Sequence, residues 1–131
     1  MAKVLERIIN RRLKNHIENE NLIDPRQYAF RAGLGTDVYF SELGEFLDGP
    51  IKQNQHCELL SIDIAKAYDT VNRGAVLDSL IRMNISGRIF KYINNFLTER
   101  TFNVLIKSAY STVRSTDRGI PQGSTLSVTL F

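Results

Sequence analysis

The sequence predicts an α/β chain of the α+β kind, with helices packed on a small, mostly antiparallel sheet. Three observations lead there. Apolar residues recur at helical spacing near the N-terminus and again in two segments between residues 72 and 97. One short apolar run, Cys57 to Ile64, alternates its faces as a strand does, and two further strand-like runs after residue 100 follow closely enough to pair as a hairpin.

At 131 residues the chain is long enough for one core and too short for two independent ones, and its 43% hydrophobic and 24% charged residues belong to a folding chain. Seventeen lysines and arginines against fourteen acids leave a net charge of +3. That excess suits a nucleic-acid partner without requiring one. The single cysteine, Cys57, excludes an internal disulfide, and with only His16 and His56 beside it no zinc-ligand spacing exists; it reads as a small, half-buried thiol. The charged N-terminus lacks the apolar region of a signal peptide, and no apolar run approaches the ~20 residues that span a membrane. An intracellular protein is expected, with nucleus and cytoplasm both open.

The elements follow in order. Val4, Leu5, Ile8, Ile9, Leu13 and Ile17 form the apolar side of a helix whose other side carries Lys3, Arg7, Arg11 and Lys14. Asn21 to Gly35, with Asp24-Pro25, Gly33 and Gly35, reads as an ordered loop before a helix starting near Thr36, which Gly49-Pro50 should end. CELLSIDI is a buried strand with Leu60, Ile62 and Ile64 on one face and Leu59, Ser61 and Asp63 on the other. Asn72 should cap a helix with core residues Val76, Leu77, Leu80 and Ile81. Ser86 should cap another with Ile89, Phe90, Ile93, Phe96 and Leu97, and both should pack on the strand. Thr101 to Lys107 and Thr112 to Asp117 flank a connection at Ser108 to Ser111, without the Asn-Gly or Asp-Gly turn of the tightest hairpins. GIPQGSTLSVTLF is a turn opening into a helix. The chain stops at Phe131 in an apolar stretch, so truncation of a longer domain is the simplest expectation.

Asp63 is the first candidate for chemistry. A carboxylate at the end of a buried strand needs a partner, and a hard divalent cation of the kind used in phosphoryl transfer is one; a turn or helix-cap aspartate is the plainer alternative. Tyr68 and Asp69 follow five and six residues later, readable as core and cap. Gly33 and Gly35 supply only G-x-G, and no Walker lysine occurs, so phosphate loops of the common kinds are unsupported. Arg31 beside them suits a phosphate or a structural contact equally. In Arg118-Gly119-Ile120-Pro121-Gln122-Gly123-Ser124, two glycines and a proline shape an irregular backbone beside a helix entry, with Gln122 offering donors and an acceptor. An ordinary helix entry capped by Ser124 explains that segment equally in isolation.

Taken together and in order, these blocks resemble those of reverse transcriptases, most closely the non-LTR (LINE-like) retrotransposon kind. KVLERIINRRL resembles the helix after the early finger motif. QYAFRAGLGT resembles the Gln-aromatic-Gly-Phe-Arg-x-Gly-x-x-Thr block, with Ala29 replacing its glycine. LLSIDIAKAYDTV resembles motif A and RGIPQGSTLSVTLF motif B, so blocks and spacers cover the whole chain.

The resemblance implies part of the fingers (residues 1–56) and an incomplete palm (57–131) of a right-hand polymerase. It implies catalysis and metal binding at Asp63, with Mg²⁺ or Mn²⁺ expected in the complete polymerase. Tyr68 matches the aromatic beneath the incoming sugar, Gln122 and Gly123 the pair near the nascent base pair and template, and Arg31 a finger residue near nucleotide or template; Asp69 takes a structural role. RNA template, DNA primer and deoxynucleoside triphosphates are the implied partners, and no membrane. Thr125 and Val128 depart from the family pattern and bear on the helix entry alone. The Ala-Asp-Asp block that carries the remaining carboxylates does not occur in these 131 residues. A group II intron-type or other reverse transcriptase, or a catalytically dead nucleic-acid-binding relic, remain alternatives at this point.

Overall fold

The N-terminal apolar spacing closes into a helix. In a computed structural model, which describes residues 2–131, the elements in chain order are α1 (Ala2–Asn19), α2 (Thr36–Lys52), α3 (Ala67–Thr70), α4 (Arg73–Arg82), α5 (Gly87–Leu97), β1 (Thr101–Phe102), β2 (Leu105–Ile106), β3 (Ala109–Tyr110), β4 (Arg114–Ser115) and α6 (Ser127–Leu130). They divide into two units, one built from residues up to Leu22 together with Lys66–Phe131, the other from Ile23–Ala65.

The first unit holds the core. Ile9, Leu13 and Ile17, four residues apart, line one stripe of α1 and are buried. With them lie Leu80 of α4, Ile93 and Leu97 of α5, Ile85 between those helices, and Ile120, Leu126 and Leu130 toward the C-terminus. Each such aliphatic side chain contributes roughly 1.5–3 kcal/mol when fully buried. Helix α4 packs on α5 and α1 on α6. Polar contacts fix the second pair, with Ser124 Oγ donating to Glu6 at 2.8 Å and Thr129 Oγ1 to Asn10 Oδ1 at 2.7 Å. His16 Nε2 donates to the Met83 carbonyl at 3.0 Å, tying α1 to the end of α4.

Asn72 caps α4 as its residue type predicts, its side chain accepting from the Ala75 N–H at 3.2 Å. Ser86 stands at the N-cap of α5 but makes no cap bond. The strands are antiparallel, as predicted, and nest in one excursion: Thr101 faces Ser115 and Phe102 faces Arg114, and farther out Leu105 faces Tyr110 and Ile106 faces Ala109. The connection is tighter than the sequence suggests. Lys107 and Ser108 alone make the turn, Lys107 taking the left-handed φ of 56° that two-residue hairpins need.

Other expectations are corrected. Residues 57–64 form no strand, and Leu60 and Ile62 are 82% and 81% exposed. A strand exists only by exchanging hydrogen bonds with a neighbour, and among the described residues strand pairing joins only β1 with β4 and β2 with β3. Asp63 therefore ends no buried strand, and Cys57 is exposed rather than half-buried. The strand expected beneath α4 and α5 does not form, and the two helices pack on each other; all eight strand residues are exposed, so the core lies between helices rather than over a sheet. Ile81 is exposed, as are Val4, Leu5 and Ile8 of α1, because burial there covers a narrower stripe than the apolar pattern.

In the second unit α2 begins at Thr36, as predicted, but does not stop at Gly49-Pro50: Pro50 lies inside it and the helix ends at Lys52. Proline so near the last turn removes one hydrogen bond, and the final turn closes through Gln53 N–H to the carbonyls of Gly49 and Pro50. The preceding loop is ordered. Asp24 accepts from the Arg26 N–H at 2.9 Å and from its guanidinium, which holds the carboxyl below its ordinary range, and Tyr28 donates to Glu42 of α2 while its ring meets Tyr39 edge-on at 5.5 Å. No residue of this unit is buried. Among the described residues no helix is long and apolar enough to cross a membrane.

Candidate functional site

In the first unit, two segments far apart in sequence run side by side. Helix α3 is a single turn, closed by Asp69 N–H and Thr70 N–H bonding back to the Lys66 carbonyl. One carbonyl within that turn and one just after it then accept from the glycine-proline turn: Ile120 N–H donates to Tyr68 O at 2.9 Å and Gly119 N–H to Val71 O at 2.9 Å. Contact this close needs glycine. A β-carbon on Gly119 would stand 2.8 Å from the Asp69 carbonyl oxygen and 3.1 Å from its carbon, at a φ of +79°. Gly119→Ala is expected to destabilise the chain by roughly 1–3 kcal/mol or more, read from the urea midpoint. Gly44→Ala, with nothing near its β-carbon inside α2, should instead stabilise by roughly 0.5–1 kcal/mol. Equal midpoints for the two variants would remove this account.

The joined segments bring Gln122 to Asp69. Gln122 Nε2 donates to Asp69 Oδ1 at 3.0 Å. A carboxylate only accepts, so the amide nitrogen must face Asp69, leaving the Gln122 carbonyl oxygen as the acceptor for another molecule. Gly123 beside it takes a φ of +85°, which itself favours glycine. Tyr68 is half-buried, its ring centroid 5.1 Å from that of Phe131 with the planes tilted by 30°.

A further residue, unmarked in the sequence reading, holds this arrangement. The half-buried guanidinium of Arg73 donates through Nε to Gly119 O at 2.6 Å, through Nη1 to Thr116 O at 2.5 Å, and through Nη2 to Thr116 Oγ1 at 2.7 Å and Arg118 O at 2.8 Å. Burial, and then the neighbouring charge of Arg100, push its pKa below the ordinary arginine value, against the opposing pull of Asp117. One sequence signal pointed to it. A cation at the first position of a helix opposes the helix dipole, so an arginine directly after the Asn72 cap needs a partner elsewhere. Arg73, Arg100 and Arg118, with Thr101, Thr116 and Gln122, line a hollow of about 390 Å³.

Asp63 and Arg31 belong to the other unit. Asp63 is exposed on the unpaired run. Arg31 Nη1 donates at 3.3 Å to the Asp24 carbonyl, which also receives the Gln27 N–H, so this arginine braces the loop before α2. Among the described residues no three His, Cys, Asp or Glu side chains gather into a group able to hold a metal ion. A lone carboxylate such as that of Asp63 holds Mg²⁺ only where further oxygens come from substrate phosphates, water or other carboxylates.

Comparison with known proteins gives one consistent result. The family model described as reverse transcriptase (RNA-dependent DNA polymerase) matches residues 1–131. The whole chain aligns at 30% identity with the polymerase assigned to transposon X-element of Drosophila melanogaster, and at 28% with the RNA-directed DNA polymerase from mobile element jockey of the same species. It aligns at 27% with the Pol polyprotein from type-1 retrotransposable element R2 of Popillia japonica. The chain spans 14% of the length of each of the first two and 19% of the third. No solved structure gives a significant match. The chain belongs to the reverse transcriptase (RNA-dependent DNA polymerase) family.

Proposed function

We propose that these residues serve an RNA-directed DNA polymerase of a non-LTR retrotransposon, as part of its fingers (1–56) and palm (57–131). The observation that carries this reading is the family match over the whole chain, with its motif A and motif B segments joined by the hydrogen bonds between Tyr68, Val71, Gly119 and Ile120. The reaction is attack of a primer 3′-hydroxyl, which gives up its proton to solvent, on the α-phosphate of a deoxynucleoside triphosphate, forming the new phosphodiester bond as the α–β phosphoanhydride breaks and pyrophosphate leaves, directed by an RNA template. Such a template and substrate pool place the work inside a cell.

Asp63 offers the carboxylate for a divalent ion, Mg²⁺ or Mn²⁺, which when bound neutralises charge on the phosphates and polarises the reacting oxygens. Tyr68 lies against the sugar of the incoming nucleotide. Gln122, its amide turned by Asp69, and Gly123, bare of side chain, lie at the nascent base pair and template. Arg31 stands in the fingers near nucleotide or template phosphate, a role its planar guanidinium suits.

Primer extension tests the reading. A polymerase-length chain carrying these residues, given an RNA template, a DNA primer, deoxynucleoside triphosphates and Mg²⁺, should extend the primer. The 131-residue chain alone should not, because two-metal catalysis draws carboxylates from more than one element and the Ala-Asp-Asp block is absent from this sequence. Extension by the short chain that survives Asp63→Asn would show that another group does the chemistry.

A further inference from the structure

The four hydrogen bonds of Arg73 all end on a stretch of four residues, Thr116 to Gly119, that enters the Gln122 turn. We propose that Arg73 is a positioning residue for nucleotide binding, a clamp that holds this turn against Tyr68–Val71 and so presents the Gln122 amide in one place and one orientation. The inference rests on the reading of Gln122 as a nucleotide-binding residue and adds to it the part that sets its position.

Geometry supports a clamp over a simple anchor. Three of the four acceptors are Thr116 O, Arg118 O and Gly119 O, main-chain atoms of the segment itself, so the guanidinium fixes backbone path rather than one side chain. Its planar fork reaches these divergent acceptors at once, which the single ammonium of lysine cannot do. The arginine is itself fixed, at the first turn of α4 behind the Asn72 cap. Within the clamped segment and just after it, Gly119 N–H and Ile120 N–H are committed to Val71 and Tyr68, and Gln122 lies just beyond, bonded to Asp69. Loosening the clamp therefore leaves the turn, and with it the Gln122 amide, held by those few bonds alone.

Two measurements test this. In the 131-residue chain, amide hydrogen exchange resolved by NMR is compared for the native protein, Arg73→Lys and Arg73→Met. Loss of the fork should speed exchange at Gly119 and Ile120 by about tenfold or more, methionine more than lysine, while Ile93 and Leu97 in α5 change by less than about twofold, since local opening is separable from global unfolding. Uniform acceleration throughout the chain, or none at Gly119 and Ile120, overturns the inference. If Arg73→Met does not fold, Thr116→Val, which deletes only the hydroxyl acceptor, should give a smaller acceleration at the same two amides, and its absence is equally fatal. In a polymerase-length chain, Arg73→Lys should raise KM for the incoming nucleotide about tenfold with kcat within about twofold, the signature of lost binding geometry. An unmoved KM beside a KM raised by Gln122→Ala rejects the clamp and keeps the nucleotide reading. If Gln122→Ala also leaves KM unmoved, that reading fails and the inference fails with it.

Discussion

Asp63→Asn should abolish RNA-templated primer extension in a polymerase-length chain carrying these residues, while leaving its folding unchanged. Asparagine keeps the shape of the side chain and removes its charge, so it still occupies the site but binds a divalent cation far less well. Metal stabilisation of transition-state charge is worth several kcal/mol, and at about 1.36 kcal/mol per tenfold this predicts a loss of roughly a thousandfold or more. The structure sharpens the test. Asp63 is exposed and, among the described residues, makes no side-chain hydrogen bond or ion pair, and a surface substitution of this kind changes stability by less than about 0.5 kcal/mol. Lost activity is then not a folding defect. Single-turnover incorporation and a urea melt, measured on the same preparation, give the two quantities. If Asp63 is only a turn residue, both stay at their native values, and the reading of Asp63 as a metal ligand is wrong.

The second large effect concerns sugar selection by Tyr68. If the Tyr68 ring lies against the incoming sugar, as proposed, a ribonucleotide would press its 2′-hydroxyl onto the ring face and lose water without gaining a partner. Tyr68→Ala in the same polymerase-length chain should open that space, so that the ratio of kcat/KM for deoxynucleotide over ribonucleotide falls by about one to two orders of magnitude. Tyr68→Phe, which keeps the ring, should leave the ratio near its native value. A competing role exists, since the half-buried ring packs against Phe131. If packing is its whole purpose, Tyr68→Ala weakens the fold by up to about 3 kcal/mol and lowers incorporation of both nucleotides together. The ratio separates the cases, because a stability loss cancels from it.

Where the chain writes its own structure locally, reading it from sequence succeeded. The 3.6-residue apolar spacing located α1 and α5, and Asn72 as a cap located the start of α4, since a helix satisfies its hydrogen bonds within the segment that encodes it. Pro50 misled because proline marks a helix end on average, whereas near the last turn its missing donor costs a single bond. The apolar alternation of residues 57–64 misled for a different reason. Alternation shows which side chains could share a face, and says nothing about whether a neighbouring strand is there to bond them.

By itself the sequence determined α1, α5 and the starts of α2 and α4, the existence of a hairpin, an irregular glycine-proline turn before Ser124, and, through the order of its blocks, the family. Only the tertiary structure decided what those residues do to one another. It placed Gln122 against Asp69, 53 positions earlier, and the Arg73 fork against a backbone 43 to 46 positions later. It also left Asp63 on an exposed, unpaired run. The reason is physical. Helical periodicity and capping depend on residues three or four apart, while a side-chain clamp depends on where the fold returns the chain, and local spacing carries no record of that distance.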